Sequence, residues 1–242
     1  VPDCIAPEDI HTIFVASHEV AERVRNLYPP SSVEVVPEPA MFFRPVRQLR
    51  VNGNLFLADG DMFFSTLQTL TVSVNVVGIM GKGLASRTKY QFPDVYVVYQ
   101  DACRSRKLQM GKPYLYKREA FVDQELADEP GTLPGINANK WFLLFATKKH
   151  WRDASDLQAI REELRWVKDN YAVEGIKSLA MPALGCGLGR LDWKDVGPVM
   201  CQELAGLGIP VAIYLPRERQ IPEEYLSPQY LLSPVKKEGG GL

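Results

Sequence analysis

With 242 residues, 46% of them hydrophobic, the chain is long enough to bury a full core as one domain with appendages or two small ones, which excludes disorder throughout. A formal net charge of −1 excludes whole-protein attraction to nucleic acid or a membrane surface, so any polyanion must be held by a local patch. The four cysteines, Cys4, Cys103, Cys186 and Cys201, make no CxxC pair and no ligand spacing with histidine, so they read as reduced thiols and no metal is expected.

The opening VPDCIAPEDI has neither the basic start nor the apolar centre of a signal peptide, and no apolar run approaches the ~20 residues of a membrane helix. The expectation is a cytoplasmic protein with no membrane partner. Residues 1–47 read as a small α/β unit: a strand at 13–15, a helix from about Ser17 with Val20, Val24 and Leu27 on one face, and a strand through Val33, Val35 and Val36. Pro29 and Pro30 stop the helix, and Pro37 and Pro39 stop the strand. The unit buries too little to stand alone and is expected to pack against the larger domain that begins near Leu49.

From about Leu49 strands alternate with helices, which predicts an α/β layer architecture over residues 48–216. Leu70, Val72 and Val74 alternate and lead to Asn75. A helix is predicted from Leu84 to Phe92, a second from Pro93 with Val95, Val98, Tyr99 and Ala102 on one face, and a strand at 114–116. Residues 118–139 read as a long surface loop, and 141–146 as a buried strand. Ser155 with Gln158 predicts a capping box for a helix to about Tyr171. A strand at 176–181, a helix at 193–207 and a strand at 210–215 complete the pattern. The tail, 217–242, mixes charges, prolines and a terminal GGG, and is expected to be loosely attached or partly disordered.

Two glycine-rich turns carry the chemical signal. The first, Asn75-Val-Val-Gly78-Ile79-Met80-Gly81-Lys82-Gly83, joins a strand to a helix, an arrangement that points free backbone N–H groups at an anion. The second, Gly185-Cys186-Gly187-Leu188-Gly189, also lies between strand and helix, so both can emerge at the same strand ends. Taken alone, the first fits a purely geometric turn equally well. Neither has the spacing of a nucleotide triphosphatase or dinucleotide fingerprint, and no Ser or Thr follows Lys82 to hold magnesium, so a diphosphate held without metal or cofactor fits better. Asp61, after Gly60, either accepts from an adenine amino group or ribose hydroxyl or is a plain turn carboxylate.

The segments Gly60-Asp61, NVVGIMGKGLA (75–85), Phe92-Pro93, TKKHWR (147–152) and PALGCGLGRLDW (182–193) together resemble macrodomains, most closely those of the DarG antitoxin type, over about 49–216. The resemblance implies a three-layer α/β/α fold with a mixed central sheet. It implies an ADP-ribose site in which Asp61 and Met62 face the adenine. Asn75 and the turn from Gly78 through Ile79, Met80 and Gly81 to Gly83 would lie near the distal ribose and diphosphate. Gly185, Cys186, Gly187, Leu188 and Gly189 would close over the phosphates. Lys148 matches the family's catalytic lysine, and the implied reaction is removal of ADP-ribose from a base, thymine before guanine, in single-stranded DNA, opposing a DarT-type toxin.

Partial burial and neighbouring Lys149 would lower the Lys148 pKa and free its amine for attack; alternatively a charged lysine stabilises the departing base, or the residue is a solvated strand end. His150, Trp151 and Arg152 would contact DNA by stacking and charge, against a reading of Trp151 as core and Arg152 as surface charge. Arg104, Arg106 and Lys107 read as solvated surface. Macrodomains that act on protein carboxylates carry an aspartate where this chain has Gly189, and Asp192 is read as a helix cap without a catalytic part. Residues 5–43 resemble the C-terminal end of a DarT toxin, without its catalytic motifs. Two other functions stay open: a non-catalytic ADP-ribose reader, and an antitoxin that silences its toxin by direct binding.

Overall fold

The structure, a computed structural model, describes residues 10–27, 33–38, 47–118, 140–216 and 219–233. The expected loop at 118–139 lies, except for Arg118, outside them. In the N-terminal unit, β1 (Thr12–Val15) and β2 (Glu34–Pro37) pair in parallel, joined by α1 (His18–Leu27). Its helix turns a different face inward from the one expected. Ala21 is fully buried, whereas Val20 and Leu27 are 38% and 73% exposed, because only the small alanine lets the helix sit down on so narrow a sheet. Neither core cluster of the larger domain contains a described residue of this unit.

The larger domain is built on a seven-stranded sheet in the order β3-β4-β9-β8-β5-β7-β6. The strands are β3 (Arg47–Asn52), β4 (Leu55–Asp59), β5 (Thr69–Asn75), β6 (Tyr114–Tyr116), β7 (Trp141–Lys148), β8 (Leu179–Pro182) and β9 (Val211–Tyr214). The two edge strands, β3 and β6, run antiparallel to their neighbours and the five between are parallel. β5 and β7 are buried almost throughout and covered on both faces; β7 is a continuous apolar run, whereas β5 alternates Leu70, Val72 and Val74 with the small hydroxyl residues Thr69, Thr71 and Ser73. On one face lie α2 (Gly83–Gln91) and α3 (Pro93–Arg104), packing Phe92, Val95 and Tyr99 against Val72, Phe142 and Leu144. The other face carries α4 (Leu157–Glu174) and α5 (Trp193–Leu204), whose Ile160, Leu164, Val196 and Met200 meet Leu143, Phe145, Leu179 and Ile213.

Several boundaries depart from expectation. The α4 cap is Asp156, which accepts from the N–H groups of Gln158 and Ala159, while Ser155 is drawn into the interior. α4 runs on to Glu174, where left-handed Gly175 stops it, and β8 begins only at Leu179. The described part of the tail is packed rather than loose. A 3-10 turn at 223–226 and the short α6 (Pro228–Leu232) bury Leu226 and Leu231 against α5, and the Trp193 indole donates to Tyr225 O at 3.0 Å.

Burial at two charged positions fixes neighbouring loops. Asp94 and Arg118 pair at 2.7 Å with both side chains nearly inaccessible, anchoring the chain after β6 to the start of α3. Lys140 is 6% exposed and donates to the carbonyls of Ser65 and Leu67, and burial lowers its pKa from 10.5 to about 8. Below pH 8 the folded state must hold a desolvated ammonium; between pH 8 and 10.5 it releases a proton that the unfolded chain still keeps, so stability rises with pH across that interval. Lys140→Met is expected to remove this rise, which chemical denaturation of both proteins at pH 7 and 9.5 measures.

Candidate active site

All five parallel strands end at the same edge of the sheet, and the sequence-predicted residues gather there: Asp61 beyond β4, the first glycine turn beyond β5, Lys148 at the tip of β7 and the second glycine turn beyond β8. β5 and β8 pair only at Thr69–Leu179 and Leu70–Ala180 and then part, although β5 continues to Asn75. Their divergence opens a crevice between the two turns. β5 and β7 stay together as far as Asn75 and Lys148, with a register shift after Val74, so the lysine stands on one wall of that crevice.

Asn75 shapes the first turn from within. Its Nδ2 donates to Ile79 O at 2.7 Å, its Oδ1 accepts from Val77 N at 3.0 Å, and Tyr99 OH donates to its carbonyl at 2.8 Å. The amide is therefore engaged by its own loop. Met80 is buried in the core while Ile79 is exposed at the rim. The N–H groups of Met80, Gly81 and Lys82 have no acceptor among the described residues. The same holds for Gly187, Leu188 and Gly189 in the second turn, so each loop carries unpaired N–H donors, as an anion site requires. Leu188 spans the gap and lies against Gly83, bringing the turns together. Cys186 is buried with its thiol toward Leu184 O, and burial raises its pKa to about 12, so it lines the turn's underside rather than the cleft.

Asp61 has two partners. One carboxylate oxygen caps Phe63 N at 3.1 Å, and the other pairs at 2.7 Å with Arg87, whose guanidinium lies 4.7 Å over the Phe63 ring. Met62 is buried beside it. Arg87 is a cleft residue that the sequence reading missed; its spacing from Asp61 carries no local signal.

Lys148 is half-buried and its Nζ donates to Leu188 O at 3.2 Å, reaching across to the second turn. Its pKa is lowered, first by desolvation and then by the positive charge of Arg190, with Asp153 opposing. Of the two expected causes burial holds, and in place of Lys149 stands Arg190, which comes from a different loop. The next residues form a tight turn in which Asp153 accepts from His150 N at 2.9 Å. Trp151 is 46% exposed there, flanked by His150 with ring centroids 5.1 Å apart and by the Arg152 guanidinium 4.4 Å from its centroid. Trp151 is thus a presented ring and not core.

Four further residues support the site from below. Thr147, next to the lysine, meets Ser73 Oγ at 2.7 Å and accepts from Ser155 Oγ at 3.3 Å, while Ser155 N donates to Gly189 O at 2.9 Å. Ser155 thereby ties the second turn to the strand bearing Lys148. On the other side of β7, strand β6 reaches only Leu144, and the uncovered Ala146 N–H donates instead to Glu163 Oε1 at 2.7 Å. Glu163 is fully buried, and that desolvation pushes its carboxyl pKa well above the usual value, with the Ala146 N–H opposing. Asp192 caps α5 through Lys194 N at 3.1 Å, as expected.

The Macro domain family matches residues 132–200. A curated relative, the DNA ADP-ribosyl transferase-DNA ADP-ribosyl glycohydrolase fusion protein of Thermosipho africanus, is 56% identical over 232 residues, or 96% of this chain and 60% of the relative. The chain thus spans about three fifths of that protein's length. The solved structure of Thermosipho africanus DarTG in complex with ADP-ribose matches with a TM-score of 0.73 at 55% identity, again over 96% of this chain and 60% of the other. The macrodomain of Thermus aquaticus DarG matches with a TM-score of 0.57 at 32% identity, over 67% of this chain and 98% of that one. With nearly the whole of that domain reproduced at this identity, on a mixed sheet whose parallel strand ends carry the two turns and the lysine, the chain belongs to the macrodomain family.

Proposed function

We propose that this chain is a DNA ADP-ribosyl glycohydrolase that removes ADP-ribose from a base, thymine by preference, in single-stranded DNA, and so reverses the action of a DarT-type toxin. The observation that carries the reading is the Lys148 amine, held at the strand tip against Leu188 O between two loops of unpaired N–H donors. Those donors take the diphosphate, Asp61 and Met62 lie at the adenine end, and the distal ribose then falls beside Lys148. Desolvation and Arg190 both favour the free amine. Its lone pair bonds to the anomeric carbon while the base departs with the electrons of the glycosidic bond and takes up a proton. Water then displaces the lysine, leaving ADP-ribose and the restored base. A DNA substrate places the reaction in the cytoplasm.

The test is incubation with an oligonucleotide carrying one ADP-ribosylated thymidine. Release of ADP-ribose with recovery of unmodified oligonucleotide is expected; tight binding of free ADP-ribose without turnover would leave a reader module. Trp151 offers a face on which an unstacked base can lie, supported by His150 and Arg152. Trp151→Ala is expected to weaken oligonucleotide binding by ~1–3 kcal/mol with ADP-ribose affinity unchanged, measured by fluorescence anisotropy and calorimetry.

We further propose the boundaries 1–47, 48–216 and 217–242 for N-terminal unit, macrodomain and tail. In the N-terminal unit a lone pair of parallel strands leaves Ile13 and Phe14 36% and 44% exposed, which parallel sheets ordinarily cover, and this fits an edge of a larger toxin-like sheet. Deleting 1–46, which leaves Arg47 and the whole of β3 in place, is expected to leave hydrolysis intact.

A further inference from the structure

Two non-glycine residues among those described hold left-handed backbone, Arg106 at φ 55° and Arg190 at φ 63°. Arg106 follows α3 and completes an ordinary helix ending, in which the N–H groups of Arg106 and Lys107 bond to the carbonyls of Cys103 and Ala102. Arg190 ends no helix. It closes the second glycine turn, its N–H bonded to Gly187 O at 3.2 Å, with Leu191 N bonded to Gly185 O at 3.0 Å. A β-carbon is strained in this conformation and glycine is not, so the arginine side chain is kept at a conformational cost.

That side chain is exposed and, among the described residues, has no carboxylate within ion-pair distance, whereas Arg47, Arg87 and Arg118 each have one. Its charge acts on Lys148. Two cations beside the unpaired N–H groups of Gly187, Leu188 and Gly189 repel one another until an anion arrives, and a guanidinium fork suits phosphate oxygens. We infer that Arg190 binds a phosphate at the mouth of the crevice and so fixes the reacting ribose against Lys148. This rests on the glycohydrolase reading for its substrate, and two phosphates have the required chemistry: the diphosphate of ADP-ribose and the phosphodiester flanking the modified nucleotide.

Arg190→Gly separates side chain from backbone, because glycine relieves the strain while removing the guanidinium. Thermal melting of the full chain is expected to show R190G at least as stable as the wild type. Calorimetric titration with free ADP-ribose, and anisotropy with unmodified oligothymidylate across a salt series, then read the two sources. A loss of about tenfold with ADP-ribose assigns the diphosphate. A loss confined to oligothymidylate, with the salt slope reduced by about one, assigns the phosphodiester. R190K is expected to recover part of either loss. Unchanged affinity in both titrations, or a lower melting temperature for R190G, overturns the inference. Neither titration needs turnover, so a wild-type protein that binds but does not hydrolyse counts against the glycohydrolase reading alone.

Discussion

Replacing Lys148 with alanine is expected to lower kcat on ADP-ribosylated oligonucleotide by on the order of 10³-fold or more, as removal of a nucleophile does. The affinity for free ADP-ribose should stay within about threefold, because among the described residues the amine meets Leu188 O and the unpaired donors of the two turns belong to the backbone. Lys148→Arg is the sharper variant. It keeps a cation at the tip of β7 but carries no accessible lone pair, so it is inactive if the amine attacks and partly active if charge alone assists the departing base. The pH profile gives the same decision. Because the pKa is lowered from its ordinary value, an attacking amine makes the rate rise with pH and level off below 10.5, whereas a required ammonium makes it fall over that interval. The first profile is expected. Lys148→Ala with full activity would remove the mechanism altogether.

The sheet was legible because its strands announce themselves. β7 is an apolar run of the kind buried parallel strands show, β5 is marked by the alternation of Leu70, Val72 and Val74, and Pro93 at the first position of α3 marks a helix start by its missing N–H. Their order, with glycine turns after β5 and β8, lets both loops emerge at one sheet edge. What stayed hidden depends on segments far apart in the chain. Ser155 and Asp156 are both good capping residues, and their neighbourhood decides between them: Ser155 is needed under Gly189, so Asp156 takes the helix end. Arg190 and Arg87 reach the site through turn and helix geometry that local spacing does not encode. Glu163 sits within the apolar stripe of α4 for a reason visible only once β6 proves too short to cover Ala146. In α1 the apolar stripe misled because Val20 and Leu27 stay exposed among the described residues, while in the tail Leu226 and Leu231 decided the matter against the surrounding prolines and charges.

Gly189 carries the other large expected effect. A β-carbon added there would lie 2.5 Å from Gly185 O and 2.7 Å from Gly185 Cα, and closer still to Ser155 Oγ. The serine could rotate, but the backbone of the same turn cannot withdraw without breaking the Leu191 N to Gly185 O and Ser155 N to Gly189 O bonds. Gly189→Ala and Gly189→Asp are therefore expected to cost ~1–3 kcal/mol of stability, as overpacking does. Both should also lose ADP-ribose affinity by on the order of 100-fold, since the N–H groups of Gly187, Leu188 and Gly189 are carried out of place. Thermal melts and calorimetric titration measure the two effects. The double variant Ser155→Gly/Gly189→Asp should not recover binding, because the clash with Gly185 remains. Macrodomains that cleave protein-carboxylate esters place an aspartate at this point of the turn. Here the close approach of Gly185 and Gly189 within one turn occupies its room, so a lysine–aspartate pair is not assembled by one substitution. A Gly189→Asp variant that bound ADP-ribose normally and hydrolysed ADP-ribosyl glutamate would show that the turn yields, and would return the choice of mechanism to the identity of one side chain.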